Sequence, residues 1–416
     1  MEEHPAKITN LVDHLFRHES GKMVSVLTKM LGINNLDLAH DIVQDTLLKA
    51  MTAWRYGSIP DNPPAWLYTV ARNKAIDHLR SRKFPADLSD VSAAATQVVD
   101  VQAGELFLDS EIQDSQLRMI FACCHPAIPE ESQIALALKT LCGLSVQEIS
   151  KAFLTSEETI AKRIYRSKEK IQQDKIELEV PSSSQLHARL EIVLNVLYAM
   201  FNEGYNSSHP DELIRKDICA EAMRLCHLLT QQKETNTPTT NALLALQCFQ
   251  SSRFMARIDD RGNIITLKYQ DRSTWNHPLI RKGMDYLDQA TESNVYSVYH
   301  IEAAIASIHA SALTFEQTDW KSVYHLYDAL YAIKPSPVVA LNKAIASSYA
   351  VSHQSALDML REIKGLEKHY LYHAALGEVS LALGKRTEAR SHFEKAIGLT
   401  ASKAERQLLI EKMEQC

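Results

Sequence analysis

Cations follow one face of a short helical pattern between residues 143 and 171. Ser145 with Glu148 and Thr155 with Glu158 form two capping boxes, so the sequence predicts two helices joined by a short turn. The outward positions of the second helix are Thr159, Lys162, Arg163, Arg166 and Lys170, and its inward positions are Ile160, Ile164 and Ile171. A helix-turn-helix presents such a second helix to the major groove of DNA. Taken alone, the stripe is equally typical of a solvated face.

A second basic element lies between residues 63 and 84, on one predicted helix. Its cations are Arg72, Lys74, Arg80, Arg82 and Lys83, and its aromatic residues include Trp66 and Tyr68. Unpaired bases stack on aromatic rings while cations neutralise the phosphates, so this composition suits single-stranded DNA. Trp66 by itself is more typical of a core position. The two basic elements together favour DNA binding over the solvated interpretation.

An acidic stripe precedes the second basic element, between residues 36 and 54. Helical spacing places Val43, Leu47, Ala50 and Trp54 on the inner face and Asp41, Gln44, Asp45 and Leu48 on the outer face. An acidic face with an exposed leucine is typical either of a docking surface for a basic partner helix or of a solvated surface. The stripe alone favours the solvated interpretation.

The composition of the 416 residues is that of a soluble protein with two or three domains. Hydrophobic residues make up 45% and the formal net charge is -6, so any basic surface must be local. Seven cysteines at irregular spacing and an acidic, polar beginning predict a cytoplasmic location. The longest apolar stretch, residues 192–201, is far shorter than the ~20 residues of a membrane span, so we expect no membrane association.

Apolar residues recur at three and four positions along nearly the whole chain, which predicts an all-α fold. One exception is residues 253–269, where Asp-Arg-Gly-Asn between β-prone runs predicts a β-hairpin. We expect a helical domain at residues 1–84, an acidic mobile linker at 85–114, a helix-turn-helix domain at 115–178, a short linker at 179–185 and a helical extension at 186–416.

The last part of this extension repeats with a period of 33 residues. Three columns share the period: Val323, Ala356 and Ala389; Tyr327, Leu360 and Phe393; Leu330, Ile363 and Ala396. Small and bulky residues at this period predict stacked helical hairpins of the tetratricopeptide type. Such a solenoid contacts proteins or other domains and is not usually a catalyst.

One group of reactive residue types has a plainer interpretation. Cys123, Cys124 and His125, with Cys142 as a fourth candidate, lack the spacing of a zinc site, so we interpret the cysteines as buried thiols and expect no metal. Phosphate-binding and hydrolase motifs are missing from the sequence, so we expect neither a catalytic site nor a cofactor.

Polar and aromatic residues also interrupt apolar stretches of the predicted extension. They are Asn202, Glu203 and Tyr205, and further on Asp271, Arg272 and Trp275. Pairing within the core, such as an ion pair between Asp271 and Arg272, is one explanation. A groove for a ligand or a partner is the other, and the sequence leaves both open.

Taken in order, these stretches resemble a bacterial sigma factor of the extracytoplasmic function (ECF) group. Residues 41–54 resemble the helix that binds the clamp of core RNA polymerase, residues 63–83 the segment that captures the minus-ten element, and residues 143–171 the reader of the minus-thirty-five element. LRMIFACCHPAIP (117–129) and YQDRSTWN (269–276) resemble the subgroup with a large tetratricopeptide-like C-terminal extension. The resemblance therefore covers nearly the whole chain.

The resemblance implies roles for individual residues. Polymerase binding falls to Asp41, Gln44 and Asp45, with Leu48 on the same face. Binding of the minus-ten element falls to Asn62, Trp66, Arg72, Asn73, Asp77 and Arg80. Binding of the minus-thirty-five element falls to Thr159, Lys162, Arg163 and Arg166. The implied partners are core RNA polymerase and promoter DNA, and the acidic linker suits the RNA exit path of the polymerase.

The resulting hypothesis is a dissociable specificity subunit that directs transcription initiation, while the polymerase carries out nucleotidyl transfer. The extension is then regulatory, either through contact with the sigma domains or by receiving a protein partner. One alternative is a helical-repeat adaptor that binds only protein, in which reversing the charge of Asp41 and Asp45 affects no polymerase binding. Another is a polymerase-independent DNA-binding regulator, in which the purified chain binds duplex DNA tightly.

Overall fold

The computed structural model describes residues 3–83, 108–153, 155–206, 214–292 and 296–416. Helices dominate these residues, as the spacing of apolar residues predicts, and no extended β-strand occurs among them. The all-α prediction is therefore confirmed. The chain divides into two compact units, Met1–Met200 and Phe201–Cys416.

Eighteen helices of the α type lie within the described residues. The first eight are α1 (Glu3–Leu31), α2 (Leu36–Tyr56), α3 (Pro63–Lys83), α4 (Asp109–Cys123), α5 (Glu130–Leu141), α6 (Val146–Ala152), α7 (Glu157–Gln173) and α8 (Ser183–Tyr205). The others are α9 (Lys216–Thr230), α10 (Pro238–Ser251), α11 (His277–Ala290), α12 (Val298–Ser311), α13 (Trp320–Ile333), α14 (Pro337–Ala350), α15 (His353–Glu362), α16 (Tyr370–Ala382), α17 (Arg386–Leu399) and α18 (Lys403–Met413).

The inner face of α2 is the one that its sequence predicts. Val43, Leu47, Ala50 and Trp54 are all buried, because apolar residues three and four positions apart share one side of a helix. This face packs against α1 and α3. Burial of the inner face fixes the rotation of α2 and therefore decides which side chains point outward.

The helix-turn-helix consists of α6 and α7. The predicted capping box at its start is present: the Ser145 N–H donates to Glu148 at 2.8 Å, and the Glu148 N–H donates to Ser145 Oγ at 3.1 Å. The predicted cap of the second helix was wrong by one residue, since Ser156 and not Thr155 caps α7. Adjacent Thr and Ser are both good caps, so local sequence alone did not separate them.

The end of the expected acidic linker is folded. Residues 109–114, assigned to the linker, form the first part of α4, so that boundary was wrong. Acidic residues are favourable in the first turn of a helix, where the backbone N–H groups are unpaired. Asp109 and Glu111 occupy that turn. Residues 85–107 of the expected linker lie outside the described residues.

The predicted columns of the extension lie on α13, α15 and α17, except that Ile363 of the third column directly follows α15. Val323, Ala356 and Ala389 are fully buried at equivalent places on these three helices. In the second column Leu360 and Phe393 are also fully buried, as is Ala396 of the third. Each helix packs against its neighbours in chain order from α12 to α18. The region is therefore a stack of helical hairpins, with a small and a bulky residue recurring in each unit.

The predicted β-hairpin is reduced to one bridge, between Ile258 and Ile264. Its turn has Gly262 at a φ of 83°, a conformation that glycine adopts without steric cost. The Asp259 carboxylate accepts hydrogen bonds from the Arg261 and Asn263 N–H groups, at 2.9 and 2.8 Å. The turn chemistry predicted from the sequence is present, but no strands extend from it.

None of the helices in the described ranges combines the length and the apolar composition that a membrane crossing requires.

Candidate nucleic-acid and protein interfaces

The outer face of α7 carries the cations that the sequence assigns to DNA. Arg166 is exposed and forms no ion pair with any residue in the described ranges. Lys162 pairs with Glu158 one turn earlier, at 2.6 Å, and Arg163 pairs with Glu131 of α5. Exposed ion pairs of this kind contribute only about 0.2–1 kcal/mol, so phosphate groups can replace the carboxylates. The face is therefore available to a polyanion.

The N-terminus of α7 holds Thr159 in place. The Thr159 N–H donates to Ser156 Oγ at 3.1 Å, and the two hydroxyl oxygens lie 2.8 Å apart. Tyr165, which the sequence reasoning did not select, is 63% exposed next to Arg166. Its position among the cations on the outer face of α7 is the sequence feature that marks Tyr165 as a further candidate for DNA contact.

The predicted minus-ten residues on and before α3 divide into two groups. Asn62, Asn73, Asp77 and Arg80 are exposed. Asn62 also caps α3, since its Oδ1 accepts a hydrogen bond from the Ala65 N–H at 3.1 Å. Asn62 thus faces solvent at the start of α3, and the other three side chains face solvent along its later turns.

The other two minus-ten candidates lie partly within the protein. Trp66 packs on the buried Trp54 of α2, with ring centroids 5.3 Å apart and ring planes inclined by 57°. Arg72 is half-buried, and its Nε atom is fully buried. Trp66 therefore helps to fix α3 on α2, the role that the sequence favoured for it.

The predicted polymerase-binding residues share one exposed face of α2. Asp41, Gln44, Asp45 and Leu48 are all exposed, and Leu48 is 60% exposed. Asp45 accepts an ion pair from Lys74 of α3 at 3.1 Å. The face combines carboxylates with an apolar side chain in water, an arrangement suited to binding another protein.

Family models match three parts of the chain. The model of Sigma-70 region 2 matches residues 15–84, and the model of Sigma-70 region 4 matches residues 118–171. A family of unknown function, DUF6596, matches residues 189–291. The region 2 match covers most of α1 to α3, and the region 4 match ends within α7.

Relatives extend these matches along the chain. An uncharacterized protein of Rhizobium meliloti (strain 1021) is 37% identical over 378 residues, 89% of this chain and 88% of that protein. The ECF RNA polymerase sigma-E factor of Haemophilus influenzae is 27% identical over 155 residues, 36% of this chain and 80% of that protein. The RNA polymerase sigma-H factor of Pseudomonas aeruginosa is 29% identical over 145 residues, 33% of this chain and 74% of that protein.

The chain belongs to the ECF sigma factors. Its long helical extension places it in the subgroup of these sigma factors that carries a large C-terminal domain. The solved structure of yeast Tom70 spans the full chain at a TM-score of 0.37 and 12% identity, a likeness too distant to support an argument.

The two sigma domains of this sigma factor pack against each other within the first unit. Lys29 of α1 donates to Glu111 and Asp114 of α4, at 2.7 Å to each. Lys168 of α7 also pairs with Asp37 of α2. We call these contacts the interdomain clasp. Partial burial raises the pKa of Asp114, but hydrogen bonds from Arg118 and Lys29 outweigh that effect and hold the pKa below its usual range.

Backbone approaches backbone where α1 meets α5. Gly21 of α1 lies so close to the Leu141 carbonyl of α5 that a Cβ atom would overlap it. Gly143, which follows α5, lies so close to the Ser20 side chain that a Cβ atom would overlap its Oγ atom. We call the contact of α1 and α2 with α4, α5 and α7 the sigma-domain interface. It depends on glycine at the point of closest approach.

Several polar groups at or near this interface lack partners. The hydroxyls of Ser20, Thr28 and Ser115, on the packed helices α1 and α4, are buried and have no hydrogen-bond partner among the described residues. Burial also lowers the pKa of His40 to about 3, and the positive charges of Lys168 and Lys139 add to this effect. A buried polar group without a hydrogen-bond partner destabilises the packed form. Such groups would bond to water if the domains separated, which would offset part of the free energy that separation costs.

The three cysteines that were considered as metal ligands are buried, as predicted. Cys123, Cys124 and Cys142 are inaccessible in the core around α4 and α5. Burial raises the pKa of the Cys124 thiol to about 12 and the pKa of Cys123 well above its ordinary value. Protonated, buried thiols of this kind are unreactive.

The suggested ion pair between Asp271 and Arg272 in the extension was wrong. The Asp271 carboxylate accepts hydrogen bonds from Ser273, from its N–H at 2.9 Å and from its hydroxyl at 2.7 Å. Arg272 instead donates to the backbone carbonyls of His309 and Ala312, at 2.7 and 2.8 Å. The local sequence could not predict this contact, because its acceptors lie about 40 residues further along the chain.

Proposed function

We propose that this ECF sigma factor binds core RNA polymerase, recognises the minus-ten and minus-thirty-five promoter elements, and directs transcription initiation. In this proposal the sigma factor supplies specificity, and the polymerase carries out all nucleotidyl transfer. The observation that carries the proposal is the exposed face of α2, where Asp41, Gln44, Asp45 and Leu48 stand together in solvent.

The α2 face is the proposed polymerase-binding surface. Its carboxylates attract a basic partner at long range, and such attraction mainly raises the association rate and selects the partner. Leu48 supplies the apolar contact that becomes dry on binding. Lys74 pairs with Asp45 in the free protein and competes weakly with the polymerase for that carboxylate.

The exposed side of α3 is the proposed surface for the minus-ten element. Asn62, Asn73, Asp77 and Arg80 are open to solvent there and offer amide, carboxylate and guanidinium groups to unpaired bases and phosphates. Arg72 and Trp66 act at its edge, where Trp66 also anchors α3 on α2.

The outer face of α7 is the proposed reader of the minus-thirty-five element. Thr159 and Lys162 stand in its first two turns, where a recognition helix contacts base edges. Arg163 and Arg166 follow one turn later and suit contacts with guanine edges or phosphates. Glu157 and Glu158 precede them and repel phosphate, so base contacts begin at Thr159.

Both proposed DNA-binding helices lie within one compact unit of the free protein. A globular unit of 200 residues is about 40 Å across. The two promoter elements are centred about 25 base pairs apart, or roughly 85 Å at 3.4 Å per base pair. We therefore infer that the sigma-domain interface opens when the sigma factor binds polymerase and promoter.

The C-terminal extension is the proposed regulatory part of the sigma factor. Its stacked helical hairpins expose surfaces of the kind that bind other proteins. A protein partner, or contact with the sigma domains, would then alter promoter-directed initiation.

Charge reversal on α2 tests the proposal. The double variant Asp41→Lys with Asp45→Lys is expected to bind purified core polymerase at least about tenfold more weakly, because the two introduced ammonium groups repel a basic partner that the carboxylates attract. The matched control is Asp285→Lys with Asp288→Lys, two exposed carboxylates on α11. Equal affinity of both double variants in a fluorescence anisotropy titration would rule out this face.

A further inference from the structure

Three arginines of the extension lie close together, and no carboxylate in the described part of the chain forms an ion pair with them. Arg253, Arg257 and Arg272 lie in the segment between α10 and α11. None of the three forms an ion pair with a residue in the described ranges. Arg253 lowers the pKa of both other guanidinium groups, after burial, which is the larger cause in each case. The segment is therefore a local excess of positive charge.

Two of these arginines have structural roles. Arg257 donates to the Tyr205 carbonyl at 2.6 Å and to Asn206 Oδ1 at 2.9 Å, at the C-terminus of α8. Arg272, only 7% exposed, donates to the His309 and Ala312 carbonyls at the end of α12. A helix C-terminus is its negative end, so both cations are well placed there. These contacts account for Arg257 and Arg272.

Arg253 has no comparable role. Its Nε donates to Gln270 Oε1 at 3.2 Å, and Gln270 is held in turn by a hydrogen bond to the Ile265 carbonyl at 2.9 Å. Its guanidinium carbon lies 5.2 Å from the centre of the Trp275 ring. The terminal N–H groups of Arg253 find no acceptor among the described residues. The side chain is thus oriented from one side, while its two terminal nitrogens pair with no described residue.

Two other polar groups around Arg253 also lack partners. The Nε1 atom of Trp275 and the Nδ1 atom of His309 are both buried, with no hydrogen-bond partner in the described part of the chain. An indole N–H can only donate, so Trp275 requires an acceptor. Burial, with Arg253 and Arg272 adding to it, lowers the pKa of His309 to about 3, so the imidazole is neutral at pH 7.

We propose that Arg253, Trp275 and His309 form a binding site for a small oxyanion, a phosphate or carboxylate group of a soluble molecule. An oxyanion supplies several acceptors at once and neutralises the excess positive charge, which water does not. The guanidinium group of Arg253 donates two hydrogen bonds to the anion, and the positive charges of Arg257 and Arg272 strengthen the attraction. Arg253 is only half-buried, so its guanidinium group is the part of the site that solvent reaches.

The proposed site gives the extension a small-molecule input that goes beyond promoter recognition. Binding of the anion would fix the segment between α10 and α11 against α12 and so stabilise the extension. The site needs neither polymerase nor DNA. Its test is therefore independent of the proposed sigma activity.

Calorimetric titration of the full chain tests the site, with inorganic phosphate in one arm and citrate in the other, at constant ionic strength. We expect saturable binding in at least one arm, which also tells a phosphoryl ligand from a carboxylate ligand. Arg253→Gln should weaken it at least about tenfold, the cost of losing a charged hydrogen-bond donor. Arg281→Gln, at an exposed arginine of α11, is the matched control and should bind as the unaltered chain does.

A second variant guards against loss of folding. Arg253→Lys keeps the charge and loses the two-pronged donor, so it should fold and bind with intermediate affinity. Far-ultraviolet circular dichroism checks the fold of each variant. Failure of both anions to bind saturably would overturn the proposal, and so would equal affinity of the Arg253→Lys and unaltered chains.

Discussion

The sigma-domain interface and the helical stack of the extension are held together by different kinds of contact. In the extension, Phe393 is fully buried against Gly377, and fully buried leucine and alanine side chains recur from hairpin to hairpin. The sigma-domain interface instead includes ion pairs, and on its helix α1 the buried hydroxyls of Ser20 and Thr28 have no hydrogen-bond partner among the described residues. Apolar contacts hold irrespective of pH, whereas polar contacts can be exchanged for water. The comparison indicates a rigid extension and a separable pair of sigma domains.

The largest effect is expected where the extension is most apolar. Phe393→Ala removes a fully buried ring and leaves a cavity, which should cost about 3–5 kcal/mol of unfolding free energy. The measurement is native-state hydrogen exchange of the α16 and α17 amides. Leu371→Ala, at a 46% exposed position of α16, is the control and should cost far less. Similar losses in both variants would contradict a core made by Phe393.

A steric clash introduced at Gly21 should weaken the sigma-domain interface. Gly21→Ala places a methyl group against the Leu141 carbonyl and should weaken the sigma-domain interface by about 1–3 kcal/mol. Improved helix propensity offsets at most about 1 kcal/mol of this. The readout is the distance between fluorophores at positions 69 and 173, which should increase. Gly398→Ala, where a Cβ meets open space, should leave the distance unchanged.

Acid should separate the sigma domains through His40. Its pKa is about 3 in the packed form, and we expect the ordinary value near 6.5 once the interface opens. Packing is therefore fully favourable above pH 6.5 and weakens as the pH falls from 6.5 toward 3. Between pH 7.5 and 5.5 the loss should be about 1.4 kcal/mol, or roughly tenfold in the packing equilibrium.

The charged neighbours of His40 are Lys168 and Lys139, which lower its pKa, and Asp37, which raises it. The same pair of fluorophores reports the effect of pH. His40→Gln should remove most of the pH dependence in this range, because glutamine does not titrate. A pH profile that is identical in the variant and the unaltered chain would assign the dependence to other groups.

The smallest effect is expected from the clasp itself. Lys168→Gln should weaken the sigma-domain interface by only about 0.2–1 kcal/mol, because Asp37 is largely exposed and its ion pair is screened. The effect should vanish at high salt. Lys162→Gln, which removes an ion pair within α7 alone, is the control and should leave the interdomain distance unchanged.

Local features of this fold were readable from the sequence. The rotation of α2 follows from apolar spacing, and the start of α6 follows from the reciprocal bonds of Ser145 and Glu148. The repeat in the extension was readable because its packing needs a small residue, such as Ala356 or Ala389, at the same place in each hairpin. Each of these features depends on residues close together in the chain or on a fixed period.

Contacts between distant segments were not readable. Lys29 meets Glu111 and Asp114 across about 80 residues, and this contact helps to hold residues that we had assigned to a linker. The acceptors of Arg272 are backbone carbonyls, which no sequence pattern marks. The packing of one sigma domain on the other was missed for the same reason, since Gly21 is an ordinary helix residue until Leu141 lies beside it.

Promoter-dependent transcription in vitro tests the central claim most directly. Purified sigma factor is added to core polymerase on DNA fragments that include the region upstream of its own gene, with Arg163→Ala plus Arg166→Ala as the test variant and Arg386→Ala plus Arg390→Ala, both exposed on α17, as the control. We predict specific initiation that the first double variant reduces at least about tenfold and the control leaves intact. Failure to initiate on any template, together with failure to bind polymerase, would contradict the account.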